Sequence, residues 1–238
     1  MYYIYMEYFE YKFDLARNSL KYVINTFKIK ELYVPYYLCN VIRHSVIEVG
    51  CKANFYHIDD NFFPTHDFNQ DDFILYPNYF GICENNVDIL VEKYPNLIVD
   101  NAHSYFSKPK GLACFNAWHK FFDIKGSSLW TKKMGADLKH QNNVQNQPPK
   151  TGDGGKSRIM KFRNCHEKYS EDNSLKIDID SCISPFCYPY LAKNTDIADK
   201  LVKELNREGL TIYRYWNTMP KNYNEYKFYN RLVPIPLI

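Results

Sequence analysis

The sequence of 238 residues has almost no surplus of charge of either sign: 30 lysines and arginines against 27 acids leave a formal +3. So small a surplus gives no electrostatic case for a nucleic-acid partner. No run of about 18 uncharged apolar residues occurs, so no segment reads as a membrane-spanning helix. The opening MYYIYMEYFEYKF sets acids inside an aromatic run and has neither the basic start nor the small-residue cleavage site of a secretory signal. Paired cysteines are missing too. Seven stand at 39, 51, 83, 114, 165, 182 and 187, an odd number at irregular spacings, which predicts reduced thiols in a cytoplasmic protein. Cys182 and Cys187 form the only close pair, short of the roughly four ligands of a structural zinc, so no metal is expected.

What the chain does have is apolar and aromatic mass: 45% hydrophobic residues, with 22 tyrosines and 16 phenylalanines. That suffices for a sizeable core, in one large domain or one domain and part of another. Residues 2–13 alternate in character and read as an edge strand, or as an arm laid over a neighbouring surface. Asp14 stands at the N-cap position of a helix over LARNSLKYVINTF. Strands follow at 31–34, 52–58, 72–77, 97–99 and 111–115, with helices ending near Ile47 and spanning 85–93, and a further strand at 126–131. Strands alternating with helices predict an α/β fold with a mostly parallel central sheet covered on both faces. From Lys132 to about Asp172 the composition turns to Lys, Gln, Asn, Gly and Pro, which predicts a mobile loop. Its KTGDGGKSR resembles a phosphate loop only superficially, because no strand precedes it and the spacing is out of frame. A helix over 195–208, a strand at LTIYRYW and an apolar end at RLVPIPLI complete the chain.

The stretch that organises the rest is LIVDNAHSYFSKPKGLACFNAWHKFF, residues 97–122. An apolar run ends on Asp100 and passes at once into a polar turn, as at the C-terminal edge of a buried parallel strand, where open α/β sheets place their chemistry. A second apolar run leads to Lys120, directly followed by two phenylalanines. Desolvation among rings lowers a lysine's pKa and frees its lone pair to form a Schiff base. An aldehyde cofactor such as pyridoxal 5'-phosphate (PLP) also needs a carboxylate against its pyridine nitrogen, and Asp100, about 20 positions away but on a neighbouring strand end, is placed to supply it.

Four segments in order, VPYYLC, YPNYFG, VDNAHS and HKFF, resemble PLP-dependent sugar aminotransferases of the DegT/DnrJ type, in the aspartate-aminotransferase fold superfamily (PLP fold type I). The resemblance covers roughly residues 15–135 well and 185–238 weakly. It implies a large PLP-binding α/β domain over 1–135, a polar flexible insert over 136–175, and a truncated small C-terminal domain over 176–238. It further implies an amino group moved from glutamate to a keto group on a nucleotide-linked sugar, a place in polysaccharide biosynthesis, and a homodimer. Lys120 would carry the cofactor and shuttle the proton, while Asp100 keeps the ring protonated.

Several residues take two readings. Lys120 alone could be a lysine snorkelling from a sheet edge. Asn78 faces the cofactor hydroxyl or caps a turn. Tyr37 is the ring near the cofactor or a core aromatic, with Cys39 at the family's stacking position. His103 lies near the cofactor ring or satisfies a turn. The family's phosphate-binding serine is replaced at Ala117, leaving Asn116 or Ser128 to substitute, while Arg17, Asn18 and Ser19 open the helix that the resemblance sets under the phosphate. Arg214 holds a substrate carboxylate or diphosphate, or packs on tyrosines. The short C-terminus, the polar region and the missing serine support an alternative, a degenerate non-catalytic remnant of this fold acting as a binding or assembly partner.

Overall fold

The chain enters its main sheet with β1 (Phe9–Phe13), and α1 (Ala16–Phe27) leads to β2 (Glu31–Pro35). Next come α2 (Asn40–Glu48), β3 (Lys52–Tyr56), β4 (Ile74–Pro77), α3 (Glu84–Lys93), β5 (Leu97–Asn101), β6 (Ala113–Asn116) and β7 (Ser127–Thr131). This computed structural model describes residues 8–135, 147–148, 153–217 and 219–238. The seven strands lie in the order β1-β7-β6-β5-β4-β2-β3, so β5 is central. Pairings among β2 to β6 are parallel, and β7 runs against both of its neighbours. Every residue of β5 is buried, as expected of a strand covered on both faces.

Alternation along the strands sorts the core into two layers. Leu75, Ile98, Ala113 and Phe115 face a cluster shared with Leu20, Val23 and Ile24 of α1 and Ile42 and Val46 of α2. Tyr76, Leu97, Val99 and Cys114 face the other cluster, shared with Val87 and Leu90 of α3. The mostly parallel α/β sheet with helices on both faces is therefore present as the sequence implied. β1 lies at the sheet edge as expected, and residues 1–7 fall outside the described residues.

Beyond the sheet the sequence reading needs correction in three places. Asp14 does not cap α1. Its carboxylate accepts the Asn18 amide at 2.7 Å, and the N-cap position falls to Leu15, with no side-chain cap. Within the stretch read as a mobile loop, the chain forms α4 (Lys156–Tyr169) and a 3-10 turn over Ser170–Asp172. Asp153 takes the backbone N–H groups of Gly155 and Ser157 at the helix start, and Phe162 is fully buried, 5.2 Å from the Tyr188 ring. One buried ring and one acidic turn hold a helix whose composition is otherwise polar. Residues 136–146 and 149–152 of that stretch lie outside the described residues.

The third correction concerns LTIYRYW, which forms no strand. Tyr215 and Trp216 pack against the core cluster shared with α3, and Trp216 takes a left-handed φ of 60°. Ring packing here wins over a ladder. The second sheet pairs β8 (Cys187–Leu191) antiparallel with β9 (Leu232–Pro236), setting Pro189 opposite Pro234, which a two-stranded ribbon tolerates. Phe162 joins Ala198 and Leu205 of α5 (Thr195–Arg207) in a cluster against this ribbon, and α6 (Tyr226–Asn230) precedes β9. Among the described residues no helix is long and apolar enough to cross a membrane.

Candidate active site

At the C-terminal ends of β4 and β5 a cavity of about 320 Å³ opens, lined by Asp100, His103 and Lys120 together with the first residues of α1 and α2. Asp100 arrives because β5 ends there, with its backbone oxygen accepting the Asn78 N–H at 3.0 Å. His103 comes on the turn that follows, closed by the Ser104 N–H on the Asn101 carbonyl at 2.9 Å. Lys120 ends a short 3-10 turn, Trp118–Lys120, between β6 and β7. That turn is pinned by Trp118, fully buried, whose N–H bonds the Gly126 carbonyl and whose indole donates to Ser128 Oγ at 3.2 Å. Gly126 has φ 147°, and a Cβ there would sit 2.1 Å from the Trp118 ring, so the position requires glycine.

The electrostatics follow from burial. Asp100 is 6% exposed; loss of water pushes its carboxyl up to about 6, against the pull of the Ala102 N–H on Oδ1 at 2.9 Å and of Lys120. Burial also lowers the Lys120 amine, against the opposing pull of Cys39, Asp100 and Cys187. Its Nζ lies 5.2 Å from the Tyr215 ring centroid and 5.5 Å from that of Phe186. His103 is held well below the ordinary histidine range, first by burial and then by repulsion from the Lys120 ammonium and from His119 when protonated, so its imidazole is neutral. It stacks on Phe186 at 4.6 Å and on Trp216 at 5.7 Å. An amine with lowered proton affinity, a buried carboxylate in no ion pair among the described residues, and a neutral imidazole thus share one small cavity.

This donor set fits PLP. The Asp100 carboxylate, costly to bury alone, suits a protonated pyridine nitrogen. Leu15, Ala16 and Arg17 line the cavity at the start of α1, where Leu15 at the N-cap makes no side-chain cap, and a helix N-terminus suits an anion. No group of three or more His, Cys, Asp or Glu among the described residues is arranged to hold a metal.

Other sequence candidates land elsewhere. Asn78 borders the cavity, but its side chain is taken: Oδ1 accepts the Cys83 N–H at 3.0 Å, and Nδ2 donates to Glu84 at 2.9 Å and Asn101 at 3.4 Å. Tyr37 is a core aromatic, fully buried against Tyr79, Trp216 and Phe228, while Cys39 lines the cavity. Asn116 is buried one residue short of the lining residue Ala117. Its Oδ1 accepts the Ser128 N–H at 2.9 Å, and its Nδ2 has no partner. Asn18 is bonded to Asp14, and Ser19 to Ser127. Arg214 pairs with Asp199 of α5 at 2.5 Å and does not line the cavity. Sequence reasoning gave no role to His119 or Trp216, which do line it. The aromatic cluster around Arg214 was the available signal for Trp216, and the arginine drew the attention.

No protein-family model matches the sequence, and no curated protein does. Solved structures do. A DegT DnrJ EryC1 StrS aminotransferase from Brucella abortus is 14% identical, with 95% of this chain covering 80% of that one at TM-score 0.66. Helicobacter pylori PseC, an aminotransferase involved in the biosynthesis of pseudoaminic acid, is 15% identical over 95% of this chain and 81% of its own, at TM-score 0.64. NtdA from Bacillus subtilis, solved with bound cofactor PMP, is 11% identical over 97% and 69%, at TM-score 0.67. Identities this low speak to architecture alone, and the chain has the fold of PLP-dependent aminotransferases, as the four short segments of its sequence implied.

Proposed function

We propose that this chain is a PLP-dependent aminotransferase that moves an amino group from an amino acid, glutamate by resemblance, to a keto group on a nucleotide-linked sugar. The observation that carries the reading is the convergence of Asp100 and Lys120, from separate connections of one sheet, on a single buried cavity. PLP, when bound, would supply an electron sink for the carbanion formed at the amino-bearing carbon.

Each residue then has a defined task. Asp100 holds a proton on the ring nitrogen, since an unpaired carboxylate at this depth favours a cationic partner. Lys120 Nζ would hold the aldehyde and would take and return the proton during the transfer; burial lowers its proton affinity. His103, neutral and stacked on Phe186 and Trp216, would set its imidazole beside the ring. The α1 N-terminus with Arg17 receives the phosphate. A homodimer and a cytoplasmic location belong to the same reading, and all seven cysteines are free thiols in keeping with the latter.

One observation favours the second reading, a non-catalytic remnant. Ala117 lines the cavity where the family carries serine, and Ser127 and Ser128 bond to Ser19 and Trp118 instead. The two readings separate in a cuvette. Purified protein given PLP should gain a visible absorption band that borohydride bleaches, and Lys120→Ala should abolish it. A colourless protein that takes up no PLP would sink the enzyme reading.

A further inference from the structure

Where the chain leaves β3, residues 57–61 meet the turn before α6, and a separate cavity of about 650 Å³ opens between them. It shares no lining residue with the cavity of Asp100 and Lys120. Its walls carry one sign of charge: Asp59, Asp60 and Glu225 line it, and among the described residues no lysine or arginine does. Asp60 is matched from outside the lining by Lys227 Nζ. Asp59 gives Oδ1 to the N–H groups of Asn61 and Phe63, both at 2.8 Å.

Glu225 is the informative member. Its side chain is fully buried although it borders the cavity, and its two oxygens are treated unequally. Oε1 accepts the Ile58 N–H and the His57 Nδ1 proton, each at 2.9 Å, whereas Oε2 has no partner. A half-satisfied carboxylate at this depth is costly, and a cation drawn into the cavity offsets that cost. With its proton held on Nδ1, the neutral ring of half-exposed His57 keeps Nε2 as an acceptor. Tyr223 meets that ring edge-on at 4.9 Å and Tyr36 lies 4.6 Å from it, and aromatic faces add to the attraction for a cation.

The remaining lining describes the other half of a ligand. Asn61, Asn222, Asn224 and Thr65 are exposed around the cavity, and amide and hydroxyl groups donate and accept at once, as the hydroxyls of a polyol require. The volume falls within the roughly 300–1,000 Å³ of small-molecule sites. We infer that this cavity is a second ligand site that takes a hydroxylated organic cation, a protonated amino sugar in chemistry and size, its ammonium beside His57 and Glu225 and its hydroxyls on the asparagines. The inference goes beyond the aminotransferase reading and does not depend on it, since no residue of this site lines the cofactor cavity.

The probe is glucosamine, titrated calorimetrically into the full chain freed of PLP, so that the amine meets no aldehyde, at a pH where that amine is protonated. Wild type should bind it saturably. N-acetylglucosamine, which keeps the hydroxyls and loses the charge, and cyclohexylamine, which keeps the charge and loses the hydroxyls, should each bind at least about 10-fold more weakly. Glu225→Gln keeps the shape and removes the charge, and should weaken glucosamine on the order of 10- to 100-fold. Because Glu225 also ties down His57 and Ile58, Asn61→Lys serves as a second variant. Asn61 is exposed and bonds its neighbours through its backbone, so a lysine there sets a competing cation at the cavity without touching Glu225, and should weaken glucosamine similarly. Wild type that ignores glucosamine, variants that bind it undiminished, either analogue binding equally well, or a Lys120→Ala protein that no longer binds it would each overturn the inference. A protein that takes up PLP and ignores glucosamine would sink this site alone and leave the aminotransferase reading standing.

Discussion

Two buried carboxylates stand on neighbouring connections of the same sheet and are treated in opposite ways. Glu84, at the start of α3, is saturated: Lys110 Nζ lies 2.6 Å from Oε1, and Asn78 Nδ2 and Ser107 Oγ donate to Oε2 at 2.9 and 2.8 Å. Asp100, at the end of β5, receives one backbone N–H and feels Lys120 only through its field. The first arrangement is what a fold does with a charge it must keep. The second leaves a carboxylate that one N–H and a distant lysine only partly compensate, which is what the proposed cofactor would complete.

The sharpest way to break the contrast is Glu84→Ala. It takes one of two carboxylates from Lys110, which keeps Asp88, and removes the shared acceptor of Asn78 and Ser107, so stability should fall by about 3 kcal/mol in a denaturant titration. A loss under about 1 kcal/mol would mean that the network is ornamental.

Asp100→Asn should act in the other direction. The Asp100 pKa is raised from 3.8 to about 6 on folding, so the folded state binds the proton more tightly than the unfolded one. The stabilisation from that proton is complete below the unfolded pKa and is lost as pH rises through the folded value. In PLP-free protein the asparagine variant should match wild type near pH 4 and exceed it by roughly 3 kcal/mol at pH 7, while taking up PLP far more weakly. Denaturation midpoints of the two proteins compared across that range check both sign and window; equal stability at pH 7 would mean that the carboxylate is already compensated.

The smallest effect belongs to a charge outside both regions. Arg214 pairs with an Asp199 side chain that is 51% exposed, so Arg214→Ala should cost under about 1 kcal/mol and leave PLP uptake unchanged. A loss of uptake would bring the cavity's boundary out to the strand-like segment before Trp216.

The sheet was legible because its strands are short apolar runs closed by polar turns, and Asp100, His103 and Lys120 sit beside those runs. Their chemistry is announced locally. Helix α4 and Trp216 were not legible for the reverse reason. α4 is a polar helix that a single buried phenylalanine holds down, and composition averages such an anchor away. Trp216 was read into a strand that its packing against Tyr37, Tyr79 and His103 prevents. Asp14 failed as a cap because Asn18, one turn on, took its oxygen. In each case a tertiary or side-chain contact outweighed a local preference.

The rings that dehydrate the Lys120 amine, Phe186 and Tyr215, are encoded 66 and 95 positions downstream of it. As the polypeptide leaves the ribosome, the sheet can assemble and bring acid and amine together well before those rings exist. Through that interval the lysine is an ordinary hydrated ammonium, indifferent to the aldehydes of the cell. The reactivity proposed for Lys120 would therefore arise only with residues made well after it, which would spare the growing chain from covalent adducts.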